Sequence, residues 1–376
     1  MVKKSKLIFS IWEILELPHI LPLYNKLKEF NKYYLKIMYK EDCFNNALKK
    51  ALDKNNCDYV PYTDLKNQEA DLLITSTYDD ETKPIPCKKW IQLFHGVADK
   101  DYTYKNYISR YDEAFLIGNF ALDRFKQNDI PIKKCSLIGF PKQDWIINNK
   151  TNLQFKKSVY GKYRLDPKKT TILYAPTWGM KNLSSFPKAY KYLTAYAIKN
   201  KINLIIKLHA HLYDAKLMKL HSKTISDCKQ YIESIEEVRN ISKKHTNIVL
   251  APKEDYDISP LFLIADLMVS DFSSAGFEFL IMDRPIIFLD TFKINQVKNP
   301  NYQTKRMEYF MRGCGITVED ITKLELAIEK SLKYPNIKNN IRKKYLNYLF
   351  YKPDGHATER AYNRIIELLE EINNKK

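Results

Sequence analysis

Apolar residues fall along the chain in short runs, with polar or amphipathic stretches between them. Strand-like runs occur at 6–11 (KLIFSI), 33–39 (YYLKIMY), 71–75 (DLLIT), 90–94 (WIQLF), 113–117 (EAFLI) and 135–139 (CSLIG). A second series follows at 171–175 (TILYA), 203–208 (NLIIKL), 247–250 (NIVL), 266–270 (DLMVS) and 285–289 (PIIFL). Amphipathic stretches such as 43–54 and 119–128 lie between the runs, and 319–350 and 354–372 read as helices. Buried runs that alternate with helices predict parallel sheets flanked by helices. A polar, lysine-rich stretch at 147–169 separates the two series. The expected organisation is a domain over 1–150, a second over 165–350, and a terminal helix over 351–376. No internal repeat or low-complexity segment interrupts the pattern.

Composition supports this reading and narrows it. The 376 residues suffice for two domains, and 45% hydrophobic with 28% charged residues is a globular balance. No apolar run reaches the ~18 residues of a membrane-spanning helix. The best candidates, 261–269 and 277–289, are broken by Asp266 and by Asp283-Arg284. The N-terminal "MVKKSKLIFSIWEILEL" begins basic and then apolar, but Glu13 and Glu16 interrupt it and no small-residue cleavage site follows. It reads as a first strand and helix rather than a signal peptide. The six cysteines are scattered without a Cys-x-x-Cys pair, which argues against a zinc ribbon or disulfide scaffold and fits a reduced cytosol. The net charge of +18 implies anionic company: nucleic acid, an anionic membrane face or phosphate-bearing substrates. Most of the excess is lysine. Arginine, which reads guanine edges, is sparse.

Chemistry gathers just after the strands, where open parallel sheets bind ligands. Four ends are loaded: His95-Gly96, Thr177-Trp178, His209-Ala210-His211 and Ser270–Ser274. Four such ends over two domains describe a cleft between facing domains. In "IADLMVSDFSSAGFEFLIMDRPIIFLD" (264–290) a buried strand turns into a helix near Ala275. A helix start offers unpaired amides and a positive dipole end, a ready phosphate site. Ser273 and Ser274 are placed to cap it or to donate hydroxyls to phosphate, and Ala275 and Gly276 to let a ligand approach. Asp271 either braces the loop or contacts the ligand. Glu278, one turn in, suits a neutral hydroxyl such as a ribose. Strand alternation puts Lys207, His209 and His211 on one face if the chain stays extended, a set complementary to a diphosphate. The His-x-His pair lacks a third metal ligand nearby in sequence. His95 is either a general base near neutral pH or a structural histidine. Arg360, with Thr358, either serves a phosphate or pairs with an acid. The 27 tyrosines are dispersed and form no base-stacking platform.

The order of these motifs resembles the CDP-glycerol glycerophosphotransferase family, the teichoic-acid and capsule polyol-phosphate transferases. The resemblance runs over roughly residues 90–365. It is carried by His95-Gly96, "IGFPKQD" (138–144), "YAPTW" (174–178), "KLH" (207–209), the 258–290 block and "DGHATER" (354–360). It implies a GT-B type α/β fold, two Rossmann-like domains with facing parallel sheets and the active-site cleft between them. The last helix is then expected to cross back to the first domain. An acceptor hydroxyl would attack the β-phosphorus of a CDP-polyol and CMP would leave. His95 matches the base, and His209 the histidine that stabilises the donor diphosphate. Ser273 and Ser274 match the phosphate-binding serines, and Glu278 the acid on that helix. Thr177, Lys207, His211, Ser270 and Asp271 complete the expected donor side, with Arg360 as a further phosphate contact. No cofactor is expected, the CDP-polyol being a substrate, and no residue is assigned to a metal; dependence on a divalent metal is left open. The expected partners are the CDP-polyol, a lipid-linked or capsular glycan acceptor and the anionic inner face of the plasma membrane, not nucleic acid. The chain departs from the family pattern at Val97-Ala98-Asp99-Lys100, at Gly179 where arginine is usual, at Ala210 where proline is usual, and at Lys142. These changes bear on donor and acceptor rather than on fold.

Two other readings stand beside this one. A GT-B glycosyltransferase using a nucleotide sugar would release a nucleoside diphosphate. A non-enzymatic basic binder of nucleic acid or membrane rests on net charge alone, without a nucleic-acid module.

Overall fold

The structure is a computed structural model that describes residues 4–77, 84–96, 106–178, 184–213, 225–290 and 311–374. The chain divides into two compact units. One takes the described residues through Asn148 together with those from Asn347 onward; the other takes Asn149–Leu346.

Each unit is built on a parallel sheet. The first holds β1 (Lys6–Ile11), β2 (Tyr34–Tyr39), β3 (Tyr59–Pro61), β4 (Ala70–Thr75), β5 (Cys87–Leu93), β6 (Glu113–Leu116) and β7 (Cys135–Leu137), in the order β3-β2-β1-β4-β5-β6-β7. The second holds β8 (Thr171–Ala175), β9 (Asn203–Ile206), β10 (Ile248–Leu250), β11 (Leu267–Ser270), β12 (Ile286–Leu289) and β13 (Ile316–Val318), in the order β10-β9-β8-β11-β12-β13. Every pairing between neighbours is parallel. The central strands are apolar on both faces because helices cover both: Leu7, Ile8, Phe9 and Ile11 of β1 are fully buried, as are Leu267, Met268 and Val269 of β11. This is the expected pair of Rossmann-like α/β domains of a GT-B type fold. The strand order reverses between β1 and β4 and between β8 and β11. Those are the switch points where crevices open at the carboxyl ends of the strands.

The pattern missed two strands, β3 and β13. Both are three-residue edge strands, β3 half-buried throughout and ending in proline, β13 with only Val318 buried, so neither shows a buried run. The stretch expected to separate the domains is partly helical. Residues Leu153–Tyr163 form a helix, capped by the Asn152 side chain accepting from the Phe155 amide at 2.9 Å. Among its residues only Val159 is buried, so it shows no apolar stripe. It belongs to the second unit, which therefore begins at Asn149 rather than 165.

The last helix, Ala357–Asn373, lies in the first unit and packs on the helix Leu17–Lys28. Arg364 fixes it by a two-pronged bond to buried Glu113 of β6 at 2.8 and 2.9 Å, and Glu371 pairs with Lys89 and Lys134. The six cysteines are free thiols. Among the described residues, no helix is long and apolar enough to cross a membrane.

Candidate active site

In the first unit, chemistry collects at the carboxyl ends of three adjacent strands, β1, β4 and β5. His95 follows β5 and is half-buried. Its Nδ1 lies 2.6 Å from the Ser76 carbonyl oxygen, which also accepts from the Gln92 side chain at 3.1 Å. A carbonyl only accepts, so Nδ1 carries a proton, and Nε2 is the nitrogen left to act as a base. Ser76 is held from its other side as well: its hydroxyl donates to Glu16 at 2.6 Å, and the Thr77 hydroxyl to the same carboxylate oxygen at 2.9 Å. The other Glu16 oxygen accepts from the Trp12 and Glu13 amides at 2.7 and 3.2 Å. Burial pushes the Glu16 carboxyl up to about 7, against these hydrogen bonds. His19 packs edge-on to His95, with centroids 5.9 Å apart, and stacks on Phe140 at 5.5 Å. Burial, then the positive Lys142 nearby, holds His19 well below the ordinary histidine range, so its ring is neutral.

In the second unit the chemistry collects at the switch point, β8 and β11, and at the neighbouring end of β9. Asp271 is buried and turned inward. One oxygen accepts from the Thr177 amide at 2.6 Å; the other accepts from the Ser185 amide at 2.7 Å and hydroxyl at 2.8 Å. Burial raises its pKa in spite of these donors. Of the two readings open for Asp271, the structure takes the brace. Ser270 is likewise internal, donating to the Ala175 carbonyl at 2.8 Å. These two tie the β11 loop to the β8 loop and set Thr177 in place. Ser274 stands at the N-terminus of the short helix Ala275–Glu278 with no side-chain cap bond. Ser273 accepts from the Ala275 amide only at 3.4 Å. Neither hydroxyl is consumed by a strong cap. Glu278 is buried on that helix.

The chain does not stay extended after β9. The strand ends at Ile206, and Ala210–Tyr213 form a tight helical turn. The one-face set of Lys207, His209 and His211 is therefore corrected. Lys207 is buried and donates to the Leu208 carbonyl at 2.9 Å. The turn, not strand alternation, brings the two histidines together, with centroids 4.6 Å apart, and Trp178 stacks on His209 at 5.7 Å. His209 Nδ1 accepts the His211 amide at 3.3 Å, which leaves Nε2 to carry the ring N–H. His209 and His95 are thus held in opposite tautomers.

Of the two readings open for Arg360, the structure shows the pairing with an acid. The side chain donates from Nε to the Ile138 carbonyl at 2.8 Å, from one amino group to both Asp354 oxygens at 2.9 Å, and from the other to the Lys352 carbonyl at 2.9 Å. Asp144 caps the same helix, accepting the Ala357 and Thr358 amides at 3.0 and 2.6 Å. "IGFPKQD" and "DGHATER" are two halves of one lock. Gly139 allows it: with φ at +87°, a Cβ there would sit 2.6 Å from the Tyr351 carbonyl oxygen. Gly276 serves packing rather than ligand approach, since a Cβ there would meet the Phe288 ring at 2.9 Å.

The departures at Val97–Lys100 and Gly179 lie outside the described residues. Sequence reasoning missed Glu16 and His19. Glu16 had a usable signal, an acid just past a buried strand, but was read only as a break in an apolar run. Among the described residues, no group of three His, Cys, Asp or Glu is placed to hold a metal ion.

Residues 23–367 match the family described as CDP-Glycerol:Poly(glycerophosphate) glycerophosphotransferase. A teichoic acid glycerol-phosphate primase of Bacillus spizizenii is 27% identical over 188 residues, 49% of this chain and 42% of that protein. A teichoic acid glycerol-phosphate transferase of Staphylococcus aureus is 23% identical over 272 residues, 70% of this chain and 62% of that protein. The chain thus spans less than half the length of the first relative. A solved variant of the wall teichoic acid polymerase TagF, soaked with CDPG, shares the fold: TM-score 0.67, 16% identity, 98% of this chain and 90% of that one.

Proposed function

Because the chain belongs to the CDP-glycerol:poly(glycerophosphate) glycerophosphotransferase family, we propose that it transfers glycerol phosphate, or a similar polyol phosphate, from a CDP-polyol to a hydroxyl of a surface polymer or lipid-linked glycan. The acceptor oxygen forms a bond to the β-phosphorus, the bond from that phosphorus to the bridging oxygen breaks, and CMP leaves with the electron pair. The acceptor proton goes to Nε2 of His95. In this reading the 2.6 Å contact of His95 Nδ1 with the Ser76 carbonyl carries most weight, because it leaves Nε2 as an acceptor in the resting enzyme. His209, protonated on Nε2, is suited to donate to a diphosphate oxygen as charge moves onto the leaving group. The Ser273 and Ser274 hydroxyls are assigned to the same diphosphate, and Glu278 to a ribose hydroxyl. Phosphoryl transfer demands positioning and charge stabilisation rather than covalent catalysis, and these groups supply both.

The net charge of +18 supports a peripheral place on the anionic cytoplasmic face of the plasma membrane, where a lipid-linked acceptor would be met. The deciding experiment is nucleotide release. Purified protein is given CDP-glycerol, CDP-ribitol or nucleotide sugars, with lipid-linked or capsular oligosaccharide acceptors. CMP from a CDP-polyol, lost about 10²–10⁴-fold in His95→Ala, is the expected result. Release of UDP from a nucleotide sugar would move the enzyme to glycosyl transfer.

A further inference from the structure

The hydrogen bonds that fix His95 do not end at Ser76. Its carbonyl takes the ring Nδ1–H, and its hydroxyl reaches one oxygen of Glu16. The Thr77 hydroxyl reaches that same oxygen, and the second Glu16 oxygen takes two amides of the turn after β1. One carboxylate therefore joins the loop after β1 to the loop after β4, and that loop aims the imidazole after β5. We propose that Glu16 is a positioning residue for His95, acting through the Ser76–Thr77 turn. The inference rests on the reading of His95 as the base.

The plain alternative is a helix cap. Glu16 does close a capping box with Glu13 at the helical turn Ile14–Glu16. A cap uses one oxygen and is met as well at the surface. Here the carboxylate is 2% exposed, and its second oxygen is committed to hydroxyls about 60 positions away in sequence. Hydroxyl bonds to a carboxylate are short and strong, so this oxygen holds the turn more firmly than a neutral partner would.

Glu16→Gln tests this without a folding penalty. Its amide oxygen still takes the two amides, and its NH2 faces two hydroxyls that can rotate to accept. The turn is then held by longer, neutral bonds. Turnover at pH 8 with CDP-glycerol, on whichever acceptor supports the wild type, should fall about 3–10-fold in Glu16→Gln and in Ser76→Ala, and about 10–100-fold in Glu16→Ala, as expected for a misplaced base. The donor KM should stay within about twofold, because no donor contact changes. Spectra of the 15N-histidine-labelled chain, which need no acceptor, should show His95 as the Nδ1–H tautomer in the wild type and as a mixture in both mild variants.

An unchanged His95 tautomer in Glu16→Gln and Ser76→Ala would overturn the proposal. So would turnover within about twofold of wild type in both, with His95→Ala inactive. If His95→Ala itself still releases CMP, the base reading fails instead, and the spectra then decide only whether Glu16 orients the ring.

Discussion

Replacing Glu16 by glutamine should make the protein more stable at pH 8 and hardly change it in acid. Burial raises the Glu16 carboxyl from its ordinary 4.5 to about 7, with the like charge of Glu13 a minor contributor. A carboxyl whose pKa is raised by folding contributes stability below its unfolded value and loses it as pH rises through the folded value. The window is therefore from about 4.5 to about 7. Ionised Glu16 costs the fold roughly 3 kcal/mol at pH 8, at about 1.4 kcal/mol per pH unit of separation. Glutamine mimics the protonated acid, and no backbone amide is stranded because both amides share one oxygen. Urea unfolding at pH 8 and pH 5 reads the difference. The gain should be roughly 3 kcal/mol at pH 8 and under about 1 kcal/mol at pH 5. A gain of equal size at both values, or a loss at pH 8, would refute the reasoning. Together with reduced turnover, a stabilised Glu16→Gln would show an acid kept against stability for function.

Three other substitutions have definite outcomes. Asp271→Ala leaves two amides and a hydroxyl buried without their acceptor, so unfolding should show a loss of about 3 kcal/mol or more and the donor KM should rise. Arg360→Lys gives up the forked contacts to Ile138, Asp354 and Lys352; it should lose about 1–3 kcal/mol on unfolding with no change in donor KM, whereas a phosphate contact would raise that KM sharply. Gly276→Ala drives a methyl into the Phe288 ring and should cost about 1–3 kcal/mol, part of which Phe288→Leu recovers.

The alternation of buried strands and helices was legible because parallel strands covered on both faces must be continuously apolar. What escaped lay where burial is partial: the edge strands β3 and β13, and the exposed helix Leu153–Tyr163. The loaded strand ends were legible for a related reason. A polar cluster directly after an apolar run marks the carboxyl edge of a sheet, and His95, His209 and Ser270–Ser274 lie there. Pairings were not legible, because nothing in a segment says which distant loop its side chain meets. Asp271 looked equally fit to brace or to bind until Thr177 and Ser185 were placed on it. Arg360 looked equally fit to serve a phosphate or to pair with an acid until Asp354 was placed on it. Lys207, His209 and His211 were assigned one face on the assumption of an extended chain, and the turn at Ala210–Tyr213 removes it.

The two sheets solve one problem in the same way. At a switch point the crossover helices leave to opposite faces, and the two central strand loops stand side by side with unpaired amides. In the first unit the acid after β1, Glu16, holds the loop after β4. In the second the acid after β11, Asp271, holds the loop after β8. Both carboxyls have pKa values raised by burial, so both ionised forms work against stability near neutral pH. An apolar pair would fill such a crevice at less cost, but it would leave the loop amides unpaired and the loops free to shift. A buried carboxylate takes several donors at once and fixes the groups beside them: the Ser76 carbonyl that aims His95, and Thr177 beside Trp178 and His209. Loops oriented in this way are what the proposed transfer to an incoming hydroxyl requires.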